Sequence, residues 1–446
     1  MNSPKFSAEK IKVLRIVARL NIGGPAIHTI LLSRHMEKLG YQTLLVAGQV
    51  GAEEGDMSYL AEAEGVKSVI LPKLGSRLQP FDDLRTFVRI LRLMFDLRLH
   101  IVHTHTAKAG ALGRLAALIY NKAQGLRHRA QGLTRRVIPE EEAQERDGSI
   151  IKSKCKVVHT FHGHVLHGYF STFKSRSFQL IEKILARFTD VIIVVSEQQK
   201  DELCYTFGVG RPEQYRVIPL GFDLGQFTQV SKSRGKLRSD LGLCENGNSL
   251  VGIVGRLTDI KNHRLFIESI SLLLSEERNT SARFLIVGDG ELRKDLEEMT
   301  TELALTDRVI FTGWIKDLKS FYADLDVLAL TSNNEGTPVA VIEAMAAEVP
   351  VIATDVGGVR ELISDLGLRN AELSEEEFKI CERGLLVKKG DVKGFANGLK
   401  YLLEHPEVGR EMGKRGREYA LEKHTTERLV SDMDRLYRSL LERHSR

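Results

Sequence analysis

At 446 residues the chain is longer than one ordinary hydrophobic core and calls for two or three domains. Hydrophobic residues at 42% and charged residues at 28%, with 64 Lys and Arg against 59 Asp and Glu, leave a net charge of +5. That charge suits anionic substrates or an anionic membrane surface and makes no case for nucleic acid. Cys155, Cys204, Cys244 and Cys381 stand far apart with no CxxC pair or metal spacing, as expected of reduced thiols in a cytoplasmic protein. No signal-peptide cleavage pattern opens the chain, and no apolar run reaches the roughly 18 residues of a spanning helix.

Residues 13–20 read as a buried strand leading into Gly23-Gly24-Pro25 and an apolar helical pattern through Ile27, Leu31, Leu32 and Leu39. Strand, glycine turn and helix make the first unit of a parallel α/β sheet. Strands are expected at 42–47, 68–71, 101–103, 156–161 and 191–195, with helices at 82–98, 110–120 and 178–188 and the domain closing near 215–219. Residues 122–154 break the rhythm with basic Arg135-Arg136 and acidic Glu140 to Glu142, and read as a mobile surface insertion that can serve partner or membrane contact.

After the Leu220-Gly221-Phe222 turn a second alternating series has strands at 250–254, 283–287, 309–311, 327–330 and 349–353. The expectation is two doubly wound α/β domains facing a cleft, 1–220 and 221–425, with a hinge near 218–230. The last segment, 426–446, is a helix whose stripe of Leu429, Met433, Leu436, Tyr437, Leu440 and Leu441 needs a surface to cover.

The stretch TSNNEGTPVAVIEAMAA, residues 331–347, carries the sharpest chemistry. Thr337 reads as a helix N-cap and Pro338 as the first helical residue, so the turn at Gly336 opens on free N–H groups that suit a phosphate. In one continuous helix, Glu335 and Glu343 would be separated by a rise of roughly 12 Å and a rotation of about 80°. They would grip opposite ends of an elongated ligand. Arg256 and Lys261 follow the strand at 250–254, at the strand end where ligands of open α/β sheets gather, and suit a leaving diphosphate.

In the first half, Thr160-Phe161-His162-Gly163 ends a strand, so His162 can meet a substrate hydroxyl or a transient charge. His164, His167, His103 and His105 are close in sequence or on the neighbouring strand end but match no zinc spacing, and no metal is expected. The first strand leads into NIGGPAIHT rather than GxGxxG, which disfavours dehydrogenase chemistry. Gly288-Asp289-Gly290-Glu291 reads as a strand-to-helix turn, either one that faces a nucleotide or a plain turn. Asp324-Leu325-Asp326 has the DxD form but sits at the entry end of its strand and reads as a cap. The 82–98 helix sets Leu84, Phe87, Val88, Leu91 and Phe95 among Arg85, Arg89, Arg92 and Arg98. It is expected to pack on the sheet, with membrane docking through the arginines as an addition.

Taken in order, NIGGPAIH, HTHTAKAGALGRLAA, TFHG, VIPLGFD, VGRLTDIKN, VGDGE and EGTPVAVIEAMAAEVPVIATDVGGVRE resemble the family 4 glycosyltransferases of GT-B fold, and most resemble bacterial enzymes of capsule, exopolysaccharide and lipopolysaccharide assembly. The resemblance implies a retaining, metal-independent enzyme without a cofactor that uses a nucleotide-sugar, with a UDP-sugar as the first expectation. The acceptor it implies is a glycan or polyprenyl diphosphate-linked saccharide at the cytoplasmic face of the inner membrane. It gives Glu335 the donor sugar's hydroxyls, Glu343 the ribose, Arg256 and Lys261 the diphosphate, and Gly336, Thr337, Pro338 and Val339 the phosphate-cradling turn. His162 falls near the reacting centre and Gly24 beside the diphosphate. The first domain would bind acceptor and the second donor, with the final helix crossing back to the first. The 122–154 and 363–383 segments are longer than the family pattern. Two other readings are a nucleotide-sugar epimerase of the same fold and a catalytically silent nucleotide-sugar binder.

Overall fold

The computed structural model describes residues 10–21, 23–51, 55–75, 79–135, 154–163, 172–243, 248–277, 280–364 and 377–442, without the side chains of 127–135 and 172–175. Its strands are β1 (Ile11–Arg19), β2 (Tyr41–Gly48), β3 (Ser68–Ile70), β4 (Ile101–His105), β5 (Lys156–Phe161), β6 (Val191–Val194), β7 (Tyr215–Val217), β8 (Leu250–Val254), β9 (Arg283–Val287), β10 (Val309–Gly313), β11 (Val327–Leu330), β12 (Val351–Thr354), β13 (Lys379–Cys381) and β14 (Gly384–Val387). The helices are α1 (Gly24–Lys38), α2 (Ser58–Ala63), α3 (Pro80–Leu97), α4 (Ala107–Arg135), α5 (Thr172–Ala186), α6 (Glu197–Asp201), α7 (Lys236–Asp240), α8 (His263–Glu276), α9 (Arg293–Glu302), α10 (Leu318–Asp324), α11 (Val339–Ala346), α12 (Val359–Ile363), α13 (Val392–Glu404), α14 (Pro406–Lys423) and α15 (Thr426–Glu442).

They form two compact units, Met1–Ile218 with Leu429–Arg446, and Pro219–Arg428. The first holds a sheet of order β3-β2-β1-β4-β5-β6-β7 and the second one of order β10-β9-β8-β11-β12-β14-β13. Both are the doubly wound arrangement the alternation predicts, parallel throughout except for β13, which runs antiparallel to β14. In each, the strand order reverses once, between β1 and β4 and between β8 and β11. Loops leaving the carboxyl ends of those two strands turn to opposite faces and open a crevice.

Central strands are buried on both faces and so read as continuous apolar runs, as in β8 (LVGIV) and β12 (VIAT). The stripe of α15 is satisfied in the first unit: Leu429, Met433, Leu436, Tyr437 and Leu440 are buried with Val13, Leu32, Met36, Val158 and Ile193.

Three expectations change. The 122–154 segment is not all irregular, because α4 continues through Arg135. Residues 122–135 are rich in Ala, Gln, Leu, Lys and Arg, which prolong a helix already packed at its start without needing an apolar stripe. Residues 136–153 lie outside the described residues, as do His164, His167, Cys244 and residues 365–376 of the long second-unit connection. The helix after Gly336 begins at Val339 with Pro338 as its N-cap, so Thr337 is not the cap and Glu335 is not helical. The 12 Å rise of a continuous helix therefore does not describe the Glu335–Glu343 pair. The β13–β14 hairpin is a further element that periodicity did not reveal, being too short to alternate.

Candidate functional site

In the second unit the loops after β8 and β11 are stitched together at the strand-order reversal. Asn333 N–H donates to the Ile260 carbonyl at 2.7 Å, Asn333 Nδ2 donates to the Asp259 carbonyl at 3.0 Å, and Thr331 Oγ1 donates to the Lys261 carbonyl at 3.1 Å. This brings Lys261 to Glu335, with Nζ 2.6 Å from Oε1. Ser332 Oγ donates to the same Oε1 at 2.6 Å. Oε2 has no hydrogen bond among the described residues and is the atom left for a ligand hydroxyl. Arg256 shares the loop of Lys261 and is partly exposed, and its guanidinium makes no hydrogen bond among the described residues.

Glycines set how closely these loops approach. Gly357, at φ +50°, lies so near the Glu335 backbone that a Cβ there would come within 1.8 Å of the Glu335 carbonyl oxygen, and one on Gly358 within 2.1 Å of that of Gly336. Gly358 N–H donates to the Gly336 carbonyl at 3.1 Å. A Cβ on Gly288 would fall 1.9 Å from the Gly255 carbonyl oxygen. The turns after β11 and β12 thus cross backbone to backbone at Glu335 and Gly336, and those after β8 and β9 do so at Gly255; residues without a Cβ fit at 357, 358 and 288. A GG pair just after a strand was the available sign of Gly357 and Gly358.

Glu343 is on α11, and its Oε2 accepts from Tyr322 Oη at 2.9 Å. Desolvation raises its carboxyl from 4.5 to about 7, against the lowering effect of the Tyr322 hydroxyl. Nothing in the sequence spacing pointed to Tyr322. The DxD carboxylates are taken up locally. Asp324 accepts from the backbone N–H groups of Gly235 and Arg238, and Asp326 accepts from Arg238 Nη2 and Leu250 N, both at 2.8 Å.

In the first unit the reversal lies between β1 and β4, and there imidazoles gather. Gly24 begins α1, next to Gly23 at φ +155°. One turn on, His28 packs its ring 4.9 Å from that of His162, edge to face. His105, the last residue of β4, places Nδ1 2.8 Å from His162 Nε2. The ligand atoms of His28, His105 and His162 all lie within 4.8 Å of one another, a set with the chemistry to hold a transition metal. No local spacing announces it, because the three come from α1, β4 and the end of β5. Desolvation pushes His162 down to about 3. It also pushes His105 well below its usual value, helped by His103, His162, His28 and Arg15.

Two family profiles match the chain, "Glycosyl transferase 4-like domain" over residues 23–221 and "Glycosyl transferases group 1" over residues 243–419. Among relatives, the chain is 28% identical over 341 residues to UDP-Gal:alpha-D-GlcNAc-diphosphoundecaprenol alpha-1,3-galactosyltransferase of Escherichia coli, covering 75% of this chain and 74% of that one. It is 25% identical over 364 residues to the capsular polysaccharide biosynthesis glycosyltransferase CapM of Staphylococcus aureus, covering 81% and 82%. Among solved structures, Anabaena Alr3699/HepE in complex with UDP aligns with a TM-score of 0.73 at 20% identity over 96% of this chain and all of that one, a likeness of fold. These matches give no support to an epimerase or a silent binder.

Proposed function

We propose that this chain, which belongs to the glycosyltransferases of the group 1 and 4-like type, moves a hexose from a UDP-sugar to a lipid-linked saccharide with retention of configuration and without a metal ion. The observation that carries the donor side is the Lys261–Glu335 contact at 2.6 Å at the strand-order reversal of the second unit. A cation and a carboxylate fixed side by side on a glycine-built turn suit a ligand with a diphosphate next to a polyhydroxyl ring. Support for UDP comes from the HepE complex and from the name of the E. coli relative, which also specifies a diphosphoundecaprenol-linked acceptor.

In this reading Arg256, Lys261 and the N–H groups at Gly336, Thr337 and Val339 stabilise the departing diphosphate, where preorganised charge has most effect. Pro338 brings no N–H to the turn and contributes its fixed backbone instead. Glu335 Oε2 accepts from hydroxyls of the sugar, and Glu343 from those of the ribose. The bond between the anomeric carbon and the phosphate oxygen breaks, and the acceptor oxygen bonds to that carbon on the same face. Its proton passes to the leaving phosphate. His162 and Gly24 serve the same reaction from the first unit, which takes the acceptor.

The first unit also suits peripheral contact with an anionic membrane. None of the helices among the described residues is long and apolar enough to cross one. On α3, Phe81 is 84% exposed and Leu84 61%, and on α5 Leu180 is 60% exposed with Ile181 and Ile184 beside it. Arg85, Arg89, Arg92, Arg176 and Lys183 are exposed on the same two helices, and Arg187 just after the second. Both helices pack against α4. Apolar side chains interspersed with cations fit a lipid surface carrying negative headgroups.

A donor screen by nucleotide release, with and without polyprenyl diphosphate-linked saccharide and with EDTA, tests the reading. Release of UDP that depends on the acceptor and survives EDTA is expected. Turnover only with a non-uridine donor would overturn the choice of nucleotide, and complete loss in EDTA would overturn metal independence.

A further inference from the structure

A carboxylate has two oxygens, and its bonds to the protein decide which of them a ligand meets. Glu343 divides the two. Its Oε2 accepts from Tyr322 Oη at 2.9 Å, whereas Oε1 makes no hydrogen bond among the described residues. Glu343 as a whole is partly exposed, and Tyr322 is buried at 1%. Oε2 therefore faces the protein, and Oε1 is the oxygen left for a ligand.

The direction of the Tyr322 bond follows from what its hydroxyl can do. A phenol carries one proton, and two acceptors lie in reach: Glu343 Oε2, and the Ala340 carbonyl at 3.3 Å. Hydrogen bonds to a charged oxygen are the shorter and stronger ones, so the proton goes to Oε2 once Glu343 is ionised. Without it, a charged oxygen would be shut away from water and from protein donors alike, the costly case for a polar group. The carboxyl would also be left to turn about its last bond, which has no sharp preference of its own.

Tyr322 is itself held in place. Its ring meets those of Phe227 and Phe321 edge to face, with centroids 5.4 and 5.0 Å apart. Helix α10, which carries it, is capped by Asp317, whose carboxylate accepts from Ser320 N–H at 3.2 Å. Helix α14 packs against α11, yet its Arg417 is turned away from Glu343, to Glu348 at 2.8 Å and to the Thr228 carbonyl at 2.9 Å. Among the described residues, Tyr322 is thus the one donor to Glu343.

We infer that Tyr322 is a positioning residue for nucleotide recognition: it holds Glu343 Oε2 so that Oε1 alone accepts from the vicinal hydroxyls of a ribose, and so makes the site prefer ribonucleotides to nucleotides without those hydroxyls. This inference rests on the reading that gives Glu343 the ribose, and it deepens that reading. One oxygen offers two lone pairs, and two hydroxyls supply two protons. A sugar that lacks them leaves Oε1 without its donors.

The test is calorimetric titration of the full chain with UDP and with 2′,3′-dideoxyuridine diphosphate at pH 8, above the Glu343 midpoint of about 7. Wild type should bind UDP about tenfold more tightly than the dideoxy nucleotide. Tyr322→Phe keeps the ring and its packing but removes the donor. It should lower UDP affinity about fivefold and leave the dideoxy nucleotide within about twofold, so that the preference shrinks to about twofold. In a Glu343→Gln background, adding Tyr322→Phe should change UDP affinity by less than about twofold. A general loss of packing would instead weaken both nucleotides in both backgrounds. A Tyr322→Phe protein that keeps the wild-type preference, loses both nucleotides alike, or loses UDP equally in the Glu343→Gln background overturns the inference while the ribose reading stands. A wild type that binds the two nucleotides equally overturns the ribose reading of Glu343 and this inference with it. Failure of the transferase reading itself is reported separately, by the donor screen.

Discussion

Burial holds the Glu343 carboxyl at about 7 rather than 4.5, so the folded chain binds this proton more tightly than the unfolded one. The stability it contributes is complete below pH 4.5 and is lost as pH rises through 7, by up to about 3 kcal/mol. Glu343→Gln should therefore match wild type in urea denaturation at pH 4 and exceed it at pH 8. The same variant should bind UDP about tenfold more weakly at pH 8, since a charged acceptor is lost from the ribose. Lys261 separates function from stability in another way. Its side chain is 27% exposed, and such a pair contributes about 1 kcal/mol or less to folding. Lys261→Ala should leave the melting temperature within about 4 °C of wild type. Its kcat/KM should fall about 10²- to 10³-fold, measured by UDP release.

Between elements, the first unit is locked by a buried ion pair. Arg114 of α4 donates Nη2 to both oxygens of Glu182 on α5, at 2.9 and 2.7 Å, and Arg114 has no exposed surface. Glu182→Ala strands a buried guanidinium and should cost about 3–5 kcal/mol in chemical denaturation. Replacing both residues by apolar ones of similar volume should recover most of it. Helix α15 is the other lock. Its apolar stripe closes the face of the first sheet formed by Val13, Val158 and Ile193, and Tyr41 donates to its Asp434 at 2.7 Å. Ending the chain after residue 425 should expose that face and bind a hydrophobic dye such as ANS under conditions where the full chain does not.

For the whole molecule, the lipid-facing prediction rests on charge and apolar area together. Vesicles containing anionic phospholipid should sediment the protein, and neutral ones should not. Arg85→Glu with Arg89→Glu should weaken that binding by about 2 kcal/mol or more. Raised salt should weaken it as well. The alternation of apolar runs with glycine turns, readable residue by residue, determined both doubly wound sheets. Glu335, Arg256, Lys261 and His162 could be singled out as candidates because strand-end loops carry ligands in this architecture. What the sequence could not show is who meets whom across it. His28, His105 and His162 come from three separate elements, Tyr322 reaches Glu343 from α10, and Gly357 meets Glu335 from the next strand's loop. Those encounters depend on strand order and on the close crossing of loops, which local periodicity does not encode. The tertiary structure alone decided them.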